Sequence, residues 1–554
     1  MPYTGRLWRA VVAAAVAAAA LALAGPSPSA QSIDNRVNTI FAAWNRKDTP
    51  GCALGVAQTG EPVLLRSFGM ADLENDRPIA PETIFEAGSV SKQFTAAAIN
   101  LLALDGKLSL DDPARKYLPE LPAIASGIRL RHLLTHTSGL RSQWPLLTLA
   151  GRPPGEAVHS IPEILDLVSR QQRLNFEPGD DFLYNNTAFT LLSVVVARVS
   201  GQSFQQFCDA RLFKPIGMNS TRWREDHTAI VRNRATAYTR GSDAQIHSDM
   251  SFTDVVGNGG LLTTVKDLLA WNENLDTARV GGRAFVESLH TRGRLNDGFV
   301  NEYAQGLYVR TFQGVKEVSH GGSTAGYRSF LARYPDQRLS VAVLCNVASA
   351  NPERLGHEVA QLYLRDVLKA PGPLPAATVA TEVLRARTGL YRDPTTDAVL
   401  KVTVDQGKVR IGSTEVVPLS EQRFRGAGTI TYEFVMENGA VKRLSELADG
   451  ARPREYLPVP VATPSASDLA GYAGRYFSAE LEVFYTVTVE KDALVVKRQW
   501  ERWNLQPAFA DAFEMGGGRV LRFTRRADGA VDGFEIFAGR VRHVRFEKQV
   551  QARQ

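Results

Sequence analysis

Cysteine is scarce: Cys52, Cys208 and Cys345 are the three in a chain of 554 residues. The count is odd and each lies in an apolar stretch. The sequence therefore favours buried free thiols over a disulfide framework, with a single Cys52–Cys345 bridge left open. Charge of one sign is lacking too. Lys and Arg number 64 against 58 Asp and Glu, a formal +6. Arg6 and Arg9 supply two of these in a leader without acids, so about +4 remains beyond it. That surplus is too small and scattered for nucleic acid. After residue 30 no apolar run reaches the roughly 18 residues of a membrane span. His132 and His136 stand four apart, but no Glu follows His132, so the zinc-protease pattern His-Glu-x-x-His is absent. No metal or other cofactor is expected. Gly-x-Ser-x-Gly is also missing, which argues against an α/β-hydrolase.

What is present is ordinary globular composition, 44% hydrophobic and 22% charged, over a length that suits roughly two to four domains. Residues 1–30 read as a secretory leader. Arg6 and Arg9 form its basic start, Ala10 to Ala24 its apolar core, and Ala22-Leu23-Ala24 a small-x-small cleavage site, with Ala30 as the alternative. The mature protein is expected to be secreted or periplasmic, without a membrane span.

The chain is organised around Glu86-Ala87-Gly88-Ser89-Val90-Ser91-Lys92. An apolar, Ala-rich run from Gln93 to Leu104 follows and stops before Gly106, the pattern of a buried helix with a glycine end. Ser89 then stands at the helix N-terminus, where backbone N–H groups are free. Lys92, one turn on, returns to the same face. A serine hydroxyl is a poor nucleophile until a base takes its proton, and Ser-x-x-Lys is one arrangement that does this.

Two further stretches carry chemistry. Tyr184 and Asn186 follow the Pro178-Gly179-Asp180-Asp181 turn, on a loop feeding a predicted helix from Ala188 to Val199. Ser319-His320-Gly321-Gly322-Ser323-Thr324-Ala325-Gly326 lies between predicted strands, and paired glycines there mark a close backbone approach. Strands are also predicted at Cys52–Gln58, Pro62–Phe68, Tyr303–Arg310, Val315–Ser319, Tyr327–Tyr334 and Leu339–Cys345, and helices at Ile33–Trp44 and Pro352–Leu368. Pro-rich linkers near 370–377 and 458–465 divide the rest. The boundaries expected are a leader at 1–24, a catalytic domain at 31–370, and β units at 383–458 and 468–554. Gly389-Leu390-Tyr391 recurs as Gly474-Arg475-Tyr476, and Gly439-Ala440-Val441 as Gly529-Ala530-Val531. Two similar small antiparallel barrels follow from this, separable in folding from the catalytic domain.

Together, Ser89-x-x-Lys92, Tyr184-x-Asn186 and His320-Gly321-Gly322 resemble the motifs of the serine β-lactamase and penicillin-binding protein superfamily. The likeness covers Ile33 to Leu368 and is nearest the class C β-lactamase branch with its D-aminopeptidase and esterase relatives. It implies an α+β catalytic domain, an antiparallel sheet flanked by helices, ahead of the two barrel-like domains. It implies an acyl-enzyme at Ser89, a proton taken by Lys92 or Tyr184, and Asn186 holding Lys92 and a substrate amide. It places the oxyanion hole at the N–H groups of Ser89 and Ser323, beside Gly321 and Gly322. A C-terminal barrel in such relatives can lend a loop to the site. His320 stands where class C enzymes carry the lysine of Lys-Thr-Gly. An imidazole there is mostly neutral at pH 7 and titrates near about 6.5, which favours D-amino-acid peptides, amides or small esters. A class C β-lactamase or D,D-carboxypeptidase is the alternative. A penicillin-binding cell-wall sensor is the non-enzyme rival, against which the complete proton relay counts. The expected partner is a small-molecule or peptide substrate, and no oligomeric state follows from the sequence.

Overall fold

The computed structural model describes residues 28–369 and 376–549. The expected leader cleavage at 22–24 and most of the first Pro-rich linker lie outside the described residues. The catalytic part is α+β. Six strands, β1 (Cys52–Gln58), β2 (Glu61–Phe68), β3 (Tyr308–Phe312), β4 (Val315–Thr324), β5 (Tyr327–Tyr334) and β6 (Leu339–Cys345), form an antiparallel sheet in the order β3-β4-β5-β6-β1-β2. Its helices include α1 (Pro28–Ile40), α2 (Lys92–Leu104), α3 (Asn186–Ser200), α4 (Val265–Thr277) and α5 (Pro352–Leu364).

Both faces of the sheet are covered, which is why every residue of β6 is buried and all but Ser340 are apolar. The two-residue period survives underneath. Val341, Val343 and Cys345 pack with Val37 of α1, Phe41 just after it, and Leu355 and Val359 of α5, whereas Ala342 and Leu344 face the larger helical core. Gly55 lets α4 approach that second face: a Cβ there would fall 3.0 Å from Leu269.

Three expectations change. Cys52 and Cys345 are not free thiols. The β1–β6 register sets them opposite each other, Cα atoms 4.0 Å apart, and they form a disulfide, leaving Cys208 free and buried. Their separation of 293 residues hides in the sequence the neighbourhood that strand pairing creates. The His320 stretch does not link two strands but continues β4 through Thr324, because Gly321 and Gly322 keep their pairing to Phe330 and Ser329. β3 starts at Tyr308, not Tyr303, since Tyr303–Leu307 turns back on itself through an Ala304 N–H to Leu307 O bond.

The tail is β throughout. Strands from Gly389 to Val459 close into an eight-stranded barrel. Strands from Gly474 to Lys548 form a nine-stranded sheet whose edges, Glu501–Asn504 and Gln506–Pro507, are separated only by Leu505. Taken as one bent strand, they give the same order as the first barrel, with first strand paired to last in both. The sequence echo is structural. Tyr391 and Tyr476 each donate their hydroxyl to the carbonyl four residues before, of Arg387 and Tyr472. Gly439 and Gly529 both turn the hairpin between strands six and seven. The first barrel has its own core. The second does not: Tyr476, Tyr485, Phe534 and Phe546 belong to one apolar cluster with the helical lobe. This runs against independent folding of 383–554.

Candidate active site

Ser89 lies in a single 3-10 turn, Gly88–Ser91, that runs directly into α2. From Thr83 to Leu102 it is the one residue that is not buried. The turn is pressed against β4. Gly88 has φ +51°, and a Cβ on it would fall 2.7 Å from Ser323 N. A Cβ on Gly322 would fall 2.1 Å from Ala87 O and 3.0 Å from Ser89 N. Glycine at both positions lets the backbone around Ser89 and Ser323 approach closely. The Ser329 hydroxyl fastens the contact, donating to Ala87 O at 2.7 Å.

Lys92 is fully buried. Its Nζ lies 3.1 Å from Ser89 Oγ, 2.9 Å from Asn186 Oδ1 and 2.7 Å from the Asn258 carbonyl. Burial, assisted by the positive charge of Arg540, holds its pKa well below the ordinary lysine value. Asn186 opens α3, whose N-cap is Asn185, with its side chain accepting from Ala188 N–H. The carbonyl of Asn258 comes from the Asn258-Gly259-Gly260 turn, which glycine spacing marks as close-packed but not as a ligand of the lysine.

Tyr184 places its ring 4.9 Å from Lys92 Nζ. The ring is half-buried, but its hydroxyl is buried and makes no hydrogen bond of regular geometry. Burial raises its pKa, and the nearby Ser89 hydroxyl opposes this only in part. Neighbouring rings pack around it. His136 lies 4.2 Å from the Tyr184 ring and 4.5 Å from that of Tyr303. His136 Nδ1 accepts from Asn185 N–H at 3.1 Å.

His320 is buried at 3% exposure. Its Nδ1–H donates to Gly321 O at 2.5 Å and its Nε2 accepts from the Tyr303 hydroxyl at 3.1 Å; the two partners set the tautomer. Burial and the Lys92 charge bring its pKa down to about 3. The expected titration near neutrality therefore does not occur, because the ring is walled in by Tyr184, Tyr303 and Tyr308. No cation stands at this point of β4.

The structure thus brings Ser89, Lys92, Tyr184, Asn186, His320, Gly321, Gly322 and Ser323 to one cleft of about 1070 Å³, except that Lys92 lies beneath its floor. Another lining residue comes from the far end of the chain. Arg540 sits on the last hairpin of the second barrel, its guanidinium 4.6 Å from the Tyr184 ring centre. The hairpin is bolted down. Arg141 donates from Nε to Arg542 O and from Nη2 to His543 O, each at 2.9 Å. Arg542 N–H donates to Asn175 Oδ1 at 2.8 Å, and its side chain pairs with Asp181 at 3.0 Å.

Residues 35–364, more than half of the chain, match the sequence profile described as Beta-lactamase. The chain belongs to the Beta-lactamase family. Penicillin-binding protein 4* of Bacillus subtilis strain 168 is 27% identical over 454 residues, 76% of this chain and 98% of that protein. The D-aminopeptidase of Brucella anthropi is 26% identical over 520 residues, 90% of this chain and 95% of that one. The octameric penicillin-binding protein homologue from Pyrococcus abyssi shares the fold, with a TM-score of 0.55 at 21% identity over 85% of this chain and 99% of that one. As a member of the Beta-lactamase family, the chain is a serine hydrolase. No helix among the described residues is long and apolar enough to cross a membrane.

Within this Beta-lactamase family member, sequence reasoning missed His136, Tyr303, Asn258 and Arg540. His136 stands at a metal-like spacing from His132, which points away from its place beside Tyr184. Tyr303 was assigned to a strand. Arg540 carries no local signal, because a lone Arg after Gly539 in a β-hairpin reads as a solvated turn.

Proposed function

We propose that the protein hydrolyses D-amino-acid-containing peptides, amides or small esters through an acyl-enzyme on Ser89, with Lys92 as the base that takes the hydroxyl proton. The observation that carries this reading is the set of partners around Lys92 Nζ. Asn186 Oδ1 and Asn258 O are acceptors only, so each takes one N–H. A neutral amine has two hydrogens and one lone pair, and the remaining direction is toward Ser89 Oγ. Burial and the Arg540 charge lower the pKa of Lys92 and so favour its free amine, whereas burial raises the pKa of Tyr184 and favours the protonated phenol. Of the two candidate bases, Lys92 is the one available.

Ser89 Oγ attacks the acyl carbon while its proton passes to Lys92 Nζ. The carbonyl oxygen becomes an oxyanion that the N–H groups of Ser89 and Ser323 receive. Such a donor is worth on the order of 10²–10³ in rate. When the bond to the leaving group breaks, the Lys92 proton moves through the Tyr184 hydroxyl to the leaving atom. A water repeats the sequence on the ester and frees the acid, so the enzyme returns unchanged. The D configuration rests on the relatives named D-aminopeptidase. Export is supported by the basic-apolar leader and by the Cys52–Cys345 disulfide, which suits an oxidising compartment. Reaction with a fluorophosphonate, followed by intact mass, tests the nucleophile. One adduct, absent in Ser89→Ala, is expected; an adduct in Ser89→Ala at the wild-type rate overturns the assignment. Cleavage of D-alanine p-nitroanilide against its L isomer tests the chirality.

A further inference from the structure

We infer that Arg540 is the cleft's anion-recognition residue, and that it selects substrates whose leaving group carries a carboxylate. This cation comes to the cleft from the second barrel, not from the catalytic sheet. The inference rests on the reading of Ser89, Lys92 and Tyr184 given above. At His320, where a lysine would supply charge, the ring is neutral and both its nitrogens are engaged. Other charges on the cleft wall are largely engaged: Glu86 pairs with Arg224 and Arg234, Glu353 with Arg310, and Arg328 donates to Ala325 O and Tyr327 O. The Arg540 guanidinium has no carboxylate or hydrogen-bond partner among the described residues. It is exposed at the cleft, and its contact is the face of Tyr184.

The geometry gives this guanidinium a direction. Lys92 lies beneath the nucleophile, so the leaving atom takes its proton from the hydroxyl of Tyr184, whose ring lines the cleft. A cation lying on the Tyr184 ring is therefore beside the leaving group. A peptide ending in a free carboxylate presents that anion one residue beyond the scissile bond. A guanidinium fork matches a carboxylate with two parallel N–H donors. The backbone that carries Arg540 is held by Arg141 and Asn175, and Val541 next to it is fully buried. The fork is thus pre-placed, which lowers the ordering cost of binding.

Binding to Ser89→Ala tests this without turnover. Titrate that protein calorimetrically with N-acetyl-D-alanyl-D-alanine and with its C-terminal amide. The carboxylate should bind on the order of tenfold to a hundredfold tighter, and the preference should shrink with added salt. It should vanish in Ser89→Ala/Arg540→Met and survive in part in Ser89→Ala/Arg540→Lys. Equal affinities, a preference unchanged by Arg540→Met, or no binding of either ligand overturns the inference. Loss of fluorophosphonate labelling in the wild type would instead strike the acyl-enzyme reading. Arg540→Met also removes a charge near Lys92, but this acts alike on both ligands and cancels in their ratio.

Discussion

Glu480→Gln should loosen the second barrel from the catalytic domain and disorder the Arg540 hairpin. Arg141 and Glu480 form an ion pair whose side chains are 0% and 3% exposed. Burial drives the Arg141 pKa down, and the Glu480 carboxylate offsets this. Glu480 Oε1 also accepts Gln172 N–H at 2.9 Å. An amide at position 480 keeps the shape but leaves a guanidinium buried without its counter-charge, a loss of about 3–5 kcal/mol. That shifts the docked-to-open equilibrium by roughly 10²–10⁴. Opening the interface rehydrates Arg141 and frees Arg542 O and His543 O, so part of the penalty appears as local opening rather than global unfolding. Hydrogen exchange by mass spectrometry should show faster exchange at 139–150 and 539–543, with little change in β1 or β6. Urea unfolding should show a lower midpoint. Arg141→Met/Glu480→Leu, which removes both charges, should recover most of the stability but not the hairpin protection. A Glu480→Gln protein within about 1 kcal/mol of wild type, with unchanged exchange at 539–543, would refute the reasoning.

Three other outcomes are expected. Lys92→Met should abolish turnover yet raise stability at pH 7: the folded state depresses the lysine pKa, so protonation favours the unfolded chain, and the gain should fade above about pH 10; a lower thermal midpoint at pH 7 would contradict this. Glu317 is held at about 2 because, although burial raises its pKa, the His357 hydrogen bond and the Arg310 charge outweigh it. Its ionised form contributes stability above about pH 4.5 that is lost as pH falls toward 2, about 3 kcal/mol in all, so urea midpoints at pH 5 and pH 3 should differ less in Glu317→Gln than in wild type. Residues 31–370 expressed alone should aggregate, because the Leu149 carbonyl loses its Tyr485 and Arg498 donors and the core shared with the second barrel is cut; a soluble fragment with a wild-type melting temperature would show otherwise.

Local chemistry was legible in the residues alone. Ser89 and Lys92 meet because three residues are about one helical turn, a geometry that belongs to any helix. The paired glycines 321 and 322 announce a close backbone approach wherever the partner lies, and the strand periods of β1, β5 and β6 follow from alternation and burial. The echo of Gly389-Leu390-Tyr391 in Gly474-Arg475-Tyr476 was enough to pair the two barrels. Tertiary structure decided the rest. Whether Cys52 meets Cys345 depends on the β1–β6 register, across 293 residues of intervening chain. Whether His320 titrates depends on three tyrosines, two of them outside every motif, that desolvate it. Whether Arg540 is a solvated turn or part of the cleft depends on Arg141 and Asn175 clamping a hairpin from the far end of the chain. In each case the deciding free energy is desolvation or a hydrogen bond between segments remote in sequence, to which no local stretch of residues contributes by itself.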